Sequence, residues 1–167
     1  MDSHALLAVL PRLHRYAWAL VGERAASDDL VQDTLERAWS RAGQWQAGSD
    51  LRAWLFSIMH NLHIDHVRRP GLSLRALDDS DLELPTRATQ SDRLDVMDLQ
   101  TALTHLPNEQ RQVLLLIALE EMSYQEVSQT LSIPIGTVMS RLSRGRERLR
   151  RLLDGNVPAS ANLRVVK

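Results

Sequence analysis

From Leu6 onward the apolar residues return every third or fourth position, a spacing that confines most of this chain to helices. Leu6, Val9, Leu10, Leu13, Tyr16, Ala17 and Leu20 make one such face, and Gly22 ends it. Ser27 stands before Asp28 and Asp29, an N-cap followed by carboxylates where the helix dipole favours negative charge, so a second helix is expected from there to about Arg41. Gly43 to Asp50 reads as a turn. Leu51, Trp54, Leu55, Ile58 and Leu62 then mark the buried stripe of a third helix, which Pro70 and Gly71 stop.

Periodicity lapses from Pro70 to Asp95, where Asp78, Asp79, Asp81, Glu83, Asp92 and Asp95 outnumber Arg75, Arg87 and Arg93. It returns with Val96, Leu99, Leu103 and Leu106, breaks at Pro107, where a new helix starts, and resumes through Val113, Leu114, Ile117 and Leu119. A short helix from about Ser123 to Leu131 leads through Ser132, Ile133 and Pro134 into a last helix, from about Ile135 to Leu153. Six prolines and seven glycines are few, and Leu, Ala, Arg, Glu and Gln dominate, so the expected fold class is all-α. The 167 residues divide into two small helical domains, 1–69 and 96–153, joined by a flexible acidic linker, 70–95, and followed by a tail, 154–167.

Several function classes are excluded at this level. No apolar run approaches the roughly 20 residues that span a bilayer, and the N-terminus lacks the pattern of a signal peptide, so a cytoplasmic protein without membrane insertion is expected. Without cysteine there is no disulfide, thiolate zinc site or catalytic thiol. There is no Gly-rich phosphate loop, Gly-x-Ser-x-Gly elbow, His-Glu-x-x-His or EF-hand pattern, so neither an enzyme nor a cofactor is expected. His60, His63 and His66 suggest a metal, but steps of three walk about 60° around a helix, so His60 and His66 point apart, and no further ligands stand nearby. No metal is expected.

A formal net charge of -1 argues against nucleic acid until its distribution is considered. The last helix holds Arg141, Arg144, Arg146, Arg148, Arg150 and Arg151 against Glu147, a local charge of +5. Taken alone, such a run is most simply a solvated face. It follows a short helix across a tight turn, however, which is the layout of a helix-turn-helix, and the part that would enter a major groove offers Thr137, Ser140, Arg141 and Arg144. The third helix presents a second polar face of Arg52, His60, Asn61, His63, His66, Arg68 and Arg69, donors suited to nucleic acid. Trp18, Trp39 and Trp54 sit within or beside apolar stripes and are expected in the core, whereas Trp45, between Gln44 and Gln46, is expected to be exposed.

These residues resemble the extracytoplasmic-function (ECF) sigma factors, which retain conserved regions 2 and 4, over nearly the whole chain. Asp28-Asp29-Leu30-Val31-Gln32-Asp33-Thr34-Leu35-Glu36-Arg37-Ala38-Trp39 is similar to the family's helix for binding core RNA polymerase. By that resemblance Asp29, Gln32, Asp33, Glu36 and Arg37 contact polymerase. Leu51 to Ile58 with Asn61 and Asp65 looks like the minus-ten recognition helix, preceded by a loop that captures a flipped base, an event costing a few kcal/mol. Trp45, Arg52, His60, Asn61, Arg68 and Arg69 are the residues implied there. Leu106-Pro107 with Arg111, Ser123 to Val127, Pro134 to Val138 and Ser140-Arg141 resemble region 4, with Thr137, Ser140, Arg141, Ser143, Arg144 and Arg148 on the minus-thirty-five duplex. Met139 departs from the family, which often has Arg or Lys there.

The resemblance implies a region 2 bundle of three to four helices, a four-helix region 4, and no catalysis. It also implies core polymerase and promoter DNA as partners, with an anti-sigma factor, often membrane-tethered in the family, as inhibitor. A DNA-binding regulator that dimerises through its N-terminal helices is the competing expectation, and it leaves the acidic stretch at Asp29 to Glu36 without a role.

Overall fold

The computed structural model describes residues 2–68 and 92–155, the side chains of 92–97 excepted; Arg69, the expected linker up to residue 91 and the tail beyond residue 155 lie outside the described residues. Among the described residues there are seven α-helices, one 3-10 turn and no strand: α1 Ser3–Val21, α2 Arg24–Ser40, the turn Ala42–Gln44, α3 Leu51–Arg68, α4 Asp92–Thr104, α5 Asn108–Ala118, α6 Tyr124–Leu131 and α7 Ile135–Gly155.

The first half is a bundle of α1, α2 and α3. Asp2 caps α1 by accepting from the His4 backbone N–H, and Gly22 closes it in the left-handed region at φ 80, donating to Trp18 O. Glycine is required there twice over, since a Cβ would also stand 2.7 Å from Thr104 Cγ2 of α4. The core joins Leu13, Tyr16 and Leu20 of α1 to Leu30 and Val31 of α2 and to Leu55, Phe56 and Met59 of α3. Tyr16 and Phe56 meet edge to face, their ring centroids 5.0 Å apart.

The expected N-cap at Ser27 is incorrect. Helix α2 begins at Arg24 with extended Glu23 before it, and Ser27 lies inside, buried, its hydroxyl donating to Arg24 O. Ser27, Leu30, Val31, Thr34 and Ala38 share the inward face, so packing rather than a capping side chain sets the start. Similarly, α4 begins at Asp92, so residues 92–95 of the expected linker are helical.

In the second half, Ala102, Leu103 and Leu106 turn inward, whereas Leu99, expected on the same stripe, is 41% exposed at the edge of that seam. Helix α5 buries Val113, Leu114, Leu115 and Leu116 against Val127 and Leu131 of α6 and Val138 and Leu142 of α7. A capping box opens α6: Ser123 Oγ accepts from Glu126 N–H while the Glu126 carboxylate accepts from Ser123 N–H. Ser132, at φ 56, then turns the chain toward α7.

The two halves are packed on one another, α1 against α4 and α5 and α3 against α6, and one cluster of buried apolar residues runs through both. Two polar devices cross the junction. Arg111 of α5 donates to Leu20 O at the end of α1 and to Leu103 O, Thr104 O and Leu106 O where α4 ends, and Asn108 Oδ1 lies at 3.4 Å. These carbonyls lie at helix ends, where among the described residues only Leu103 O of the four also accepts from a backbone donor, the Leu106 N–H at 3.1 Å, and a guanidinium fork is built for such a cluster. Burial pulls the Arg111 pKa down to about 10, still far above neutrality. The second device is Glu120, fully buried after α5. Arg12 of α1 pairs with it at 2.9 Å and Arg15 at 3.4 Å, and Arg52 of α3 donates to its backbone carbonyl at 2.8 Å. The Arg12 contact is an ion pair off the hydrogen-bond axis, since Glu120 Oε1 has no directed donor.

Candidate nucleic-acid interface

Helix α2 carries its acidic stretch outward. Asp29, Gln32 and Glu36 are exposed and Asp33 and Arg37 half-buried, at the i, i+3, i+4, i+7, i+8 spacing of one face, opposite Leu30, Val31 and Thr34. Gln32 Nε2 donates to Glu36 Oε1 at 3.2 Å, and Asp33 lies 3.5 Å from His66 of α3. The structure thus brings these five residues together.

The tryptophans depart from expectation. Trp39 is 62% exposed and Trp18 43% exposed, so neither is a core residue, whereas Trp54 is partly buried against the core. Trp45 is also partly buried: its ring stacks at a tilt on Trp54, centroids 6.5 Å apart, with the indole nitrogen enclosed. The reason lies in the pitch of the helices. Trp39 follows Gln32 by seven residues and Glu36 by three, which places it on the outward face, while the turn before α3 folds Trp45 back onto Trp54.

The polar residues of α3 divide. Asn61 and Arg68 are exposed. Arg52 is spent on the second half, donating to Glu120 O and lying 3.8 Å from Glu126. His63 is buried, its Nε2 2.9 Å from Asn108 Oδ1, and His60 stands beside it, close to Gln112 and Arg141. The three histidines therefore face three different partners, and among the described residues no group of three potential ligands gathers. A cleft lined by His60, His63, Arg68, Asn108, Gln112 and Arg141 separates α3 from α5 and α7.

Helices α6 and α7 are joined by the Ser132-Ile133-Pro134 turn, and Val138, Leu142 and Gly145 seat α7 inward. Ser143, Arg144 and Arg148 are exposed and Thr137 and Ser140 half-buried, with Ser140 Oγ donating to Thr137 O. Arg141 leans away from them toward α5, 3.6 Å from Glu109.

Two family descriptions match this chain: the sigma2 domain of PhyR over residues 6–60, and sigma-70 region 4 over residues 97–149. The chain is 35% identical to the ECF RNA polymerase sigma factor EcfG of Rhodopseudomonas palustris over 149 residues, which cover 89% of this chain and 82% of that protein. This chain belongs to the ECF RNA polymerase sigma factors. Such a factor directs core polymerase to promoters for initiation. SigW of Bacillus subtilis is 28% identical over 85% of this chain and 83% of its own length. Among solved structures, the sigma factor RpoE of Bartonella quintana, in complex with the anti-sigma factor NepR, superposes with a TM-score of 0.73 at 35% identity, covering 90% of this chain and 94% of that one. CnrH in complex with the cytosolic domain of CnrY gives 0.67 at 26% identity, covering 92% and 90%. Among the described residues of this sigma factor, no helix is long and apolar enough to cross a membrane.

The histidine pair at the junction should make the stability of the sigma factor depend on pH. Burial lowers the His60 pKa from 6.5 to about 4, with His63 and Arg141 acting in the same direction, and burial likewise lowers that of His63. Both are held neutral in the packed form, so the unfolded or parted chain takes up protons first. The stability they contribute is present above pH 6.5 and lost as pH falls from there toward 4. A fall in melting temperature between pH 6.5 and 5, with the halves separating in small-angle scattering, is the expected result. His60→Gln with His63→Gln should flatten that dependence; an equally steep profile in the double variant would place the titration elsewhere.

Proposed function

We propose that this sigma factor docks core RNA polymerase with the outward face of α2 and reads promoter DNA with α3 and α7. In this reading residues 1–69 are region 2, 96–153 region 4, and 70–95 the connection between them. Asp29, Gln32, Asp33, Glu36 and Arg37 supply the polymerase contact. Trp39 extends that face as an aromatic anchor of the kind that dominates interface energetics.

Asn61 and Arg68, exposed on α3, meet the minus-ten strand with Arg69. Arg52 and His60 join them only once the junction opens, because Arg52 must first leave Glu120 and Glu126, and Trp45 only once its ring leaves Trp54. On α7, Ser140, Ser143 and Arg144 face the minus-thirty-five duplex, while Thr137, Arg141 and Arg148 lie along one flank, where they are suited to phosphates. The packed arrangement is then a resting form in which the two reading surfaces partly cover one another. The factor works without a cofactor or catalysis of its own, in the cytoplasm. An anti-sigma factor holds it inactive, as the complex formed by its relative RpoE with the anti-sigma factor NepR supports.

The observation that carries this reading is the pairing, on one chain, of an outward acidic helix face with a basic helix-turn-helix. A simple repressor has no need of the first, and a protein-only adaptor none of the second. Arg144→Ala should weaken holoenzyme binding to a selected promoter by about 1 to 3 kcal/mol, measured by titration against labelled duplex. Arg141→Ala, whose guanidinium already lies toward Glu109, should cost less. Unaltered promoter selection in both variants would remove α7 from the recognition surface.

A further inference from the structure

Helix α7 turns by about 100° per residue, so its surface can be divided from the residues it buries. With Val138, Leu142 and Gly145 inward, Ser140, Ser143 and Arg144 lie on the outward side, Thr137, Arg141 and Arg148 on the flank toward α5, and Ile135 and Met139 on the flank toward α6. Met139 is 52% exposed and Ile135 44% exposed. Packing does not account for Met139: the core beneath it is filled by Val138 and Leu142, and its neighbour Tyr124 is itself exposed. An unbranched apolar side chain therefore projects from the first turns of the recognition helix, one residue from Ser140 and one turn from Ser143.

We propose that Met139 is a specificity-determining residue that reads the C5-methyl group of a thymine in the upstream promoter element. The proposal rests on the assignment of α7 to that element and deepens it. In the major groove the thymine methyl is the one apolar group among the base edges, and an apolar side chain is what recognises it. The thioether is flexible and polarisable, so it can settle against a methyl group without a fixed hydrogen-bond geometry. Arginine or lysine at this position would seek a phosphate or guanine; methionine can bond neither. Arg144, one turn further along the outward side, retains the capacity for guanine. The recognition helix thus combines one apolar and one charged reading position.

The test uses the full chain assembled with core polymerase. A duplex library randomised over both promoter elements is enriched by holoenzyme binding, and each thymine of the upstream element is then replaced by deoxyuridine, which deletes only the methyl group. Affinity of the wild type should fall about fourfold at one thymine, the worth of a single buried methyl-sized group. In Met139→Ala the thymine-to-uracil ratio at that position should drop to one, with ratios elsewhere unchanged, while Met139→Leu should retain the discrimination. Met139 is exposed, so equal melting temperatures are expected and serve as the folding control. An enriched element with no thymine sensitive to its methyl group, or a wild-type ratio in Met139→Ala, overturns the proposal; in the second case the exposed methionine belongs to a protein contact. Failure of the underlying assignment looks different. If the wild-type holoenzyme does not distinguish the enriched upstream element from a scrambled one, α7 does not read it, and both fall together; if Arg144→Ala loses that distinction and no methyl effect exists, only the Met139 inference falls.

Discussion

Arg111→Met should destabilise the protein by about 3 to 5 kcal/mol. One guanidinium serves four backbone carbonyls, three of them where α4 gives way to α5 and one at the end of α1. Methionine fills much of the same volume but donates nothing, so partly buried acceptors lose a charged donor together rather than singly. Their individual costs do not simply add, because the freed segment can relax toward water. For a chain of this length the melting temperature should drop by roughly 10 °C or more. Arg111→Lys should recover only part of the loss, since an ammonium cannot span the fork. Because one of the carbonyls belongs to α1, scattering should also report a looser junction. A change below about 1 kcal/mol would mean that water replaces the guanidinium freely.

Alanine at both Gln32 and Asp33 should lower the affinity for core polymerase by about a hundredfold or more, and Trp39→Ala alone by about thirtyfold. All three project from the outward face of α2, and none contributes to the apolar core beneath it. Their removal should therefore leave the melting temperature within about 1 kcal/mol equivalent of wild type, the main structural loss being the partly exposed Asp33–His66 contact. Duplex binding by α7 should be unchanged, which separates polymerase docking from DNA reading. Polymerase capture that survives all three substitutions would place the docking surface on another helix.

How much of this was legible in the sequence follows from what periodicity can encode. The all-α class, the stop at Gly22, the break at Pro107 and the two helices around Ser132 to Pro134 were readable because each is set locally, by a repeat near 3.6 or by a residue that cannot continue a helix. The basic face of α7 was readable for the same reason, whereas the acidic contact stretch of α2 came from the family resemblance. Ser27 misled because it is a good cap in isolation, yet the face it shares with Leu30 and Val31 has more to bury. Trp39 and Trp18 misled because an aromatic at the edge of an apolar stripe looks like part of it; counting seven from Gln32 would have placed Trp39 outside.

What could not be read is the junction. Arg52 carries no local mark that it will donate to Glu120, 68 positions away, rather than meet DNA. Nor does Glu120 advertise that Arg12 and Arg15 await it across the interface. A period tells which face of a helix is covered, not what covers it, so the same polar face of α3 served equally well as a nucleic-acid surface and as half of a domain contact. His60 and His63 are the sharpest instance, since burial against Asn108 and Gln112 makes them neutral groups of an interface.

This chain confers promoter recognition on core RNA polymerase. The most direct measurement is transcription by purified core polymerase, with and without the full chain, on fragmented genomic DNA from the source organism. A stable complex and new transcripts that start at discrete sites sharing two upstream elements are expected, both lost in the Gln32→Ala, Asp33→Ala double variant. Tight binding of the chain to duplex DNA as a dimer, with no polymerase capture and no new transcripts, would contradict it and identify a stand-alone regulator instead.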